Sequence, residues 1–457
     1  MTNLKGKRLE VSIETTNSRG QGIARTGSER YVLFVSGALP GERVRGKVVL
    51  EKRTFGIMEL EEVIEPNPGR VTPRCPWFGS CGGCALQHAS YELQRHIKSR
   101  VLTDALRRIG GIGNFVAPPC EPSPVEWGYR NKASFPVRSV NSKKRLGFFK
   151  EGSHELVPVD VCPVLEPRIE SLISPISSLV ASTSLDLYDE KRHKGCLRHI
   201  VVRSSACEGS LLIVPVLNHP SCFDQERDFK VFAHSLFEIS GQEGGIVANY
   251  NPLPGNTIFG ERSSPILGDP RMTETLGPFS LQYGPTSFFQ VNTRQAGNLF
   301  RSAGDILDQF GIESVLELYS GTGALTLFLA GKGRKVCAVE DWPESVSFLR
   351  INAESNEMGG SIEVLGCSAE NAVESMTGRK FDAIVMDPPR KGCSERVLMG
   401  LVKLDPSIVL YISCNAATLA RDGSFLIMNG YSLKSATPFD MFPQTFHVES
   451  IAVFEKK

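Results

Sequence analysis

Ser314-Val315-Leu316-Glu317-Leu318-Tyr319-Ser320-Gly321-Thr322-Gly323 is an apolar strand pattern that runs into a glycine turn and then into an apolar helix pattern. Gly321 and Gly323 let the backbone pass close to a nucleoside. Glu340 closes the next strand pattern, 17 residues after Gly323, where it can accept hydrogen bonds from ribose hydroxyls. A dinucleotide fingerprint needs a third glycine, and position 326 holds Thr. The missing glycine favours a ligand without pyrophosphate, such as S-adenosylmethionine; a tight turn in any α/β protein is the competing reading. Outward from this turn the chain alternates strand, turn and helix. Lys335-Val336-Cys337-Ala338-Val339-Glu340 is followed by a helix over 343–356 and strands near 361–365, 381–386, 407–412 and 448–454. This alternation predicts a mostly parallel, doubly wound sheet, an α/β Rossmann-like fold.

Four more motifs belong to the same part of the chain. Ala383-Ile384-Val385-Met386-Asp387-Pro388-Pro389-Arg390 is an apolar strand that ends in a carboxylate and a turn fixed by two prolines. Asp387 is thereby held at the carboxyl end of a strand, where open α/β sheets bind ligands. Ile408-Val409-Leu410-Tyr411-Ile412-Ser413-Cys414-Asn415 puts a cysteine at the same sheet edge, a candidate nucleophile, although a lone cysteine is more often inert. Ser287-Phe288-Phe289-Gln290-Val291-Asn292 offers two aromatics for stacking and amides for hydrogen bonds, or simply a core Phe pair. His447-Val448-Glu449-Ser450 places His447 and Glu449 on one side of the last strand, with Glu449 a possible general base or a solvated edge carboxylate.

Toward the N-terminus, residues 4–64 read as short strands separated by turns, a small barrel. Residues 1–70 hold 12 basic and 9 acidic side chains, with Arg19, Arg25, Arg43, Arg45, Lys47, Lys52 and Arg53 in or beside loops. RNA binding and an ordinary solvated face explain such charges equally well. A Pro-rich stretch at 65–73 reads as a linker. Cys75, Cys81 and Cys84 follow at metal-ligand spacing, C-x5-C-x2-C. A helix is expected over 86–109, where Leu93, Ile97, Val101, Leu102, Leu106 and Ile109 recur on one side. From 120 to 285 the pattern is strands and turns with one helix around 165–181.

The chain has 457 residues, 41% hydrophobic and 22% charged, with a net charge of +1, so two to four domains are expected. That composition excludes a membrane-spanning protein, and the basic start is not followed by the apolar run of a secretory signal, so a cytoplasmic location is expected. Twelve cysteines in a reducing compartment do not suggest a disulfide framework.

SFFQVN, the glycine turn, DPPRKG, SCN and HVE, in that order over residues 287–449, resemble the bacterial RNA (uracil-5-)-methyltransferase family. The resemblance implies a three-part chain. Residues 1–66 would be an OB-like TRAM barrel that binds RNA. Residues 67–86 and 120–286 would form a central α+β iron–sulfur domain, and residues 87–119 and 287–457 the Rossmann-like methyltransferase domain. It further implies that Gln290, Tyr319, Gly321, Gly323, Glu340 and Asp387 hold S-adenosylmethionine, that Cys414 is the nucleophile and that Glu449 is the base. Cys75, Cys81, Cys84 and Cys162 would bind a [4Fe-4S] cluster, with zinc the alternative for any four-cysteine site. Barrel and cluster together point to 23S ribosomal RNA rather than transfer RNA as substrate. No membrane partner is implied, and a monomer is the default expectation. Two positions depart from the family pattern: Ala324 stands where Asn is common, and Ala416 where Pro is common. The rival activities are methylation of cytosine or an exocyclic amine on the same fold, and a non-catalytic ribosome assembly factor.

Overall fold

In a computed structural model, which describes residues 4–26, 31–218 and 225–457, the chain builds three large sheets and one small hairpin. The first sheet contains β1 (Arg8–Ser12), β2 (Thr15–Thr16), β3 (Gly22–Thr26), β4 (Tyr31–Val35), β5 (Arg43–Glu51) and β6 (Phe55–Glu65), in the order β1-β5-β6-β4-β3-β2. Alternation turns Val11, Ala24, Leu33, Val44 and Val48 inward to a core of its own. The expected barrel strands are present, and the short β2 and β3 add to them. Three of the basic loop residues are neutralised within this sheet: Arg25 pairs with Glu14, Arg43 with Glu65 and Arg45 with Glu10.

Helix α1 (Tyr91–Arg108), N-capped by Ser90, follows the cysteine-bearing segment. The central sheet then forms from β7 (Lys132–Val140), β8 (Lys143–Phe149), β9 (Leu156–Pro158), β10 (Leu197–Ser204), β11 (Leu211–Leu217), β12 (Gly245–Tyr250) and β13 (Arg262–Gly268), ordered β13-β12-β11-β10-β7-β8-β9. Two helices cover one face of it, α2 (Pro167–Ser182) and α3 (Glu226–Ile239), around Phe135, Ile173, Val202, Ile213 and Phe232. The sequence pattern anticipated only α2 here. Helix α3 had a readable signal that the sequence reading missed, since Phe229, Phe232, Ala233 and Leu236 recur at i, i+3, i+4 and i+7 and are buried. A hairpin, β14 (Met272–Leu276) and β15 (Phe279–Tyr283), forms a separate two-stranded sheet packed on the two helices α4 (Thr293–Gln309) and α6 (Pro343–Ser355). Met272, Leu276 and Leu281 of this hairpin share one core with Val201, Leu212 and Val216 of the central sheet and with Val315 and Val385 further along the chain.

The third sheet contains β16 (Ser314–Leu318), β17 (Lys335–Glu340), β18 (Ile362–Gly366), β19 (Ala383–Met386), β20 (Ile408–Ser413), β21 (Tyr431–Phe439) and β22 (Glu449–Lys456). The remaining helices are α5 (Ala324–Leu329), α7 (Ala369–Ser375), α8 (Glu395–Leu404) and α9 (Ala416–Met428). Strand order is β18-β17-β16-β19-β20-β22-β21, parallel except for β22, which runs antiparallel to both of its neighbours. The strands are buried on both faces, which explains their nearly continuous apolar sequence. Val315, Val385, Leu410 and Ile451 join one core, Leu316, Ile384, Val409 and Ala452 the other. Helix α1 packs on α9, across a gap of more than 300 residues in sequence. Two expectations about the last strand change. Strand β22 is interior rather than an edge, and it begins at Glu449, so His447 lies in the loop before it. Among the described residues, no helix is long and apolar enough to cross a membrane.

Candidate active site

The face of the third sheet that carries Val315, Val385, Ile412 and Ile451 sets the site. Period-two alternation continues past the strand ends, so Glu317, Asp387, Cys414 and Glu449 share that face. After β16 the backbone turns sharply. Tyr319 takes a left-handed φ of 66°, and Gly321 and Gly323 follow at 57° and 88°. A side chain is rarely tolerated in this region, so holding Tyr319 there stores strain at the turn. Glu340, at the end of β17, receives three backbone N–H groups, from Gly321 at 2.8 Å, Trp342 at 2.8 Å and Asp341 at 3.0 Å. Burial nonetheless pushes its pKa up.

Phe288, Gln290, Tyr319, Gly321 and Asp387 line one cavity above this turn. The two aromatics of SFFQVN have separate duties. Phe289 is buried and stacks on Tyr283 at 4.4 Å, as a core residue does, whereas Phe288 is 67% exposed and free to stack on a ligand. Asn292 is structural: its side chain caps α4 by accepting from the Gln295 N–H and donates to Ser123 and Met441. Gly323 is the residue before α5, outside the cavity lining, where an added Cβ would lie 3.2 Å from Leu349.

Antiparallel pairing of β20 with β22 sets Ser413 opposite Ser450, so the next pair outward is Cys414 and Glu449. Burial, followed by the nearby Glu449 and Asp387 carboxylates, pushes the Cys414 thiol up to about 12; Arg390 works against the shift. Burial also lifts Asp387 to about 7 and Glu449 well above the usual carboxylate range. The Cys414 turn is held without the family's proline. Ser413 Oγ accepts from the Asn415 N–H and donates to its carbonyl, while Asn415 donates to the Arg390 carbonyl and accepts from Ala417 N–H. Cys393, the other cysteine near the Pro-Pro turn, is buried in the opposite core beside Met386 and does not reach the site.

Three residues emerge here to which the sequence assigned no role. Arg390 and His447 form one wall, with Arg390 Nη2 3.3 Å from the His447 ring, and burial holds that imidazole neutral, near a pKa of about 4. Glu317 lies beneath the glycine turn, wholly buried, with neither carboxyl oxygen hydrogen-bonded, and burial raises its pKa to about 8. Its place in the alternation after Val315 was a readable signal; its lack of a partner was not.

Cys75, Cys81, Cys84 and Cys162 line a single cavity of about 400 Å³, which also reaches Gln290 and His447. Burial raises all four thiols, Cys84 to about 11 and Cys162 to about 12. Trp77 Nε1–H donates to Asp160 at 2.9 Å and fastens the first cysteine segment to the second. Among the described residues, no group of three or more His, Cys, Asp or Glu is close enough to hold a single metal ion.

The tRNA (uracil-5-)-methyltransferase family model matches residues 278–457, and the TRAM domain model matches residues 3–55. An uncharacterized RNA methyltransferase of Halalkalibacterium halodurans is 36% identical over 98% of this chain and 97% of its own. One from Gloeobacter violaceus is 35% identical over 99% and 97%. A tRNA (uracil-54, C5)-methyltransferase from Pyrococcus abyssi, solved with S-adenosyl-L-homocysteine, shares the fold with a TM-score of 0.75 at 24% identity, over 98% of this chain and 100% of its own. Relatives 36% and 35% identical over nearly the whole of both chains show that the chain belongs to a family of RNA methyltransferases.

Proposed function

We propose that this enzyme methylates carbon 5 of a uridine in 23S ribosomal RNA through a covalent adduct with Cys414. The observation that carries the reading is the β20–β22 register, which supports Cys414 and Glu449 acting on one base. Gln290, Tyr319, Gly321, Glu340 and Asp387 hold S-adenosylmethionine, with Gly323 shaping the turn beneath it. Bound there, the cofactor supplies an electrophilic methyl group. Carbon 5 of uracil is a poor nucleophile on its own. Addition of the Cys414 thiolate to carbon 6 would form an S–C6 bond and move the C5=C6 electron pair to carbon 5, which would take the methyl group as the methyl–sulfonium bond breaks and S-adenosylhomocysteine leaves. Glu449 removes the carbon 5 proton, the C5=C6 bond re-forms, the S–C6 bond breaks and the thiolate returns. A carboxylate lifted by burial is a stronger base for that step. Phe288 is exposed and offers a stacking face to the extruded base.

The four cysteines hold a [4Fe-4S] cluster. A tetrahedral zinc site with bonds of ~2.3 Å would draw its sulfurs to about 3.8 Å of one another. The four thiols line one cavity of about 400 Å³, and iron and sulfide analysis against zinc distinguishes the two groups. The buried thiols lose their protons when metal binds.

An exocyclic amine attacks without covalent help and would leave Cys414 and Glu449 idle. Incubation with carbon-5-tritiated uridine in ribosomal RNA and, separately, in total tRNA tests the proposal. Tritium release from ribosomal RNA is expected, and no release from either RNA would exclude uracil carbon 5 as the target. Release from tRNA alone would reassign the substrate, since a tRNA enzyme shares this whole architecture.

A further inference from the structure

We propose that Arg421 and Asp422 of α9 are positioning residues that clamp the loop 390–393, so that Arg390 stands beside Cys414, the nucleophile of the proposed methylation on which this inference rests. Arg390 lines the groove of about 670 Å³ that also contains Cys414, Asn415 and His447. The loop that carries it, residues 387–394, belongs to no helix or strand. Its backbone groups must therefore find partners elsewhere, and those partners set its place.

One face of α9 supplies them. Asn415, Thr418, Arg421 and Asp422 follow one another at helical spacing. Asn415 Nδ2 donates to the Arg390 carbonyl at 3.0 Å, and Arg421 Nη2 donates to the Lys391 and Cys393 carbonyls at 3.1 and 3.3 Å. Asp422 is wholly buried; its Oδ2 accepts the Cys393 N–H at 2.9 Å and its Oδ1 accepts the Arg421 Nε–H at 2.7 Å. The Tyr411 hydroxyl donates to the same Oδ2 at 2.7 Å and ties the carboxylate to β20. The loop fits tightly against this pair. Gly392 has a left-handed φ of 76°, and a Cβ added there would lie 2.6 Å from both Arg421 Nη2 and Asp422 Oδ2.

The same helix starts at the Cys414 turn, with Asn415 as its N-cap, so nucleophile and Arg390 are referred to one rigid element. Asp387 is anchored separately. It follows β19 directly, and Pro388 and Pro389 stiffen the chain between it and the clamp. Loosening the clamp should thus move Arg390 and spare the cofactor cavity. Cys414 faces the carboxylates of Glu449 and Asp387 and the neutral His447 wall, and Arg390 is the cation that opposes those carboxylates. A guanidinium that drifts outward loses most of this effect, because the interaction weakens with distance and water enters between the charges.

Alkylation of Cys414 by iodoacetamide in mildly alkaline buffer, read by mass spectrometry of its peptide, tests the clamp on the full chain without RNA. Arg421→Met removes the donors of a half-exposed side chain and should slow alkylation about fivefold by raising the thiol pKa. Gly392→Ala pushes the loop off from its other side and should do the same. Tyr411→Phe removes the Asp422 bond that does not reach the loop; it should lower the melting temperature and leave alkylation unchanged. In tritium release from uridine RNA, Arg421→Met should lower kcat about tenfold and leave KM for S-adenosylmethionine within about twofold of wild type. Asp422→Asn keeps an oxygen for the Cys393 N–H and should retain more activity than Asp422→Ala. Wild-type alkylation of Arg421→Met would overturn the proposal. So would equal slowing in Tyr411→Phe, which would make the effect one of general destabilisation, or a rise in KM at unchanged kcat. Slowed alkylation in Arg421→Met, with no tritium release by the wild type, would support the clamp and sink the methylation reading alone.

Discussion

Glu317 is buried near the Asp387 and Glu340 carboxylates with no counter-ion beside it, and its raised pKa makes it neutral at mild acidity. An acid whose folded pKa exceeds its unfolded value costs nothing below the unfolded value, near 4.3, because both states are then protonated. As pH rises through about 8 the unfolded chain has already released the proton and the folded one has not, so stability falls across that window. Glu317→Gln keeps the shape and removes the proton linkage. Its melting temperature should match wild type near pH 4, exceed it increasingly toward pH 8 and level off above; parallel curves would show that Glu317 titrates normally. The chemistry at Cys414 and Glu449 separates in time, so the variants separate too. Cys414→Ala should form no RNA adduct and transfer no methyl group. Glu449→Gln should add and methylate but stall before elimination, leaving a methylated RNA–protein band on denaturing gels with labelled cofactor. Wild-type turnover by Glu449→Gln would remove it as the base. At this scale the sequence supplied residue types but not environments. Nothing in Phe288-Phe289 says which ring is core and which is free, because a loop before a helix has no fixed period. Cys393 and Cys414 likewise look alike until the loop before α8 buries Cys393 in the opposite core.

Elements were most legible where their periodicity is long and their neighbours local. Strands β16 and β17 and helices α1, α2 and α6 follow from apolar spacing and from glycine or proline ends. The place of β22 between β20 and β21 did not, since antiparallel insertion of the last strand is a choice of topology rather than of local pattern. The same holds for α1, whose partner α9 is far along the chain. Its anchor is Lys98, fully buried, whose ammonium donates to Asp440 at 2.5 Å and to the Phe442 carbonyl at 3.0 Å just after β21. A lysine in a helical stripe reads as solvated, and only the tertiary partner makes it core. Asp440 Oδ2 has no hydrogen-bond partner and Oδ1 would keep only the Phe442 N–H at 3.2 Å, so losing Lys98 leaves a buried charge without a counter-ion. Lys98→Met should destabilise by about 3 to 5 kcal/mol in urea unfolding. Lys98→Met with Asp440→Leu should recover much of that loss; a single variant as stable as wild type would show that the pair contributes only position.

The whole molecule is joined through the segment between the barrel and α1. Leu39 of the barrel packs with Leu86, Ala89 and Ile97, and Arg70 pairs with the buried Glu42. Gly82 N–H donates to the Phe149 carbonyl of the central sheet, and the N–H groups of Ala85 and Leu86 donate to the Gln444 carbonyl of the methyltransferase unit. The segment that carries Cys75, Cys81 and Cys84 thus touches all three units, while Cys162 belongs to the central one. Its few apolar residues cannot fix so many contacts by burial alone, so ligation of the four thiols should set how cooperatively the units unfold. Protein purified without oxygen should contain iron and sulfide and unfold in one calorimetric transition. Cys81→Ser should lose both and unfold in two, with S-adenosylmethionine affinity retained, because the cofactor cavity is lined by Gln290, Tyr319 and Asp387 and by none of the four cysteines. One zinc with no sulfide in the purified protein would replace the cluster with a mononuclear site. A single unchanged transition in Cys81→Ser would mean that the barrel, central sheet and methyltransferase unit are coupled by packing at Leu39, Leu86 and Ile97 rather than through the metal.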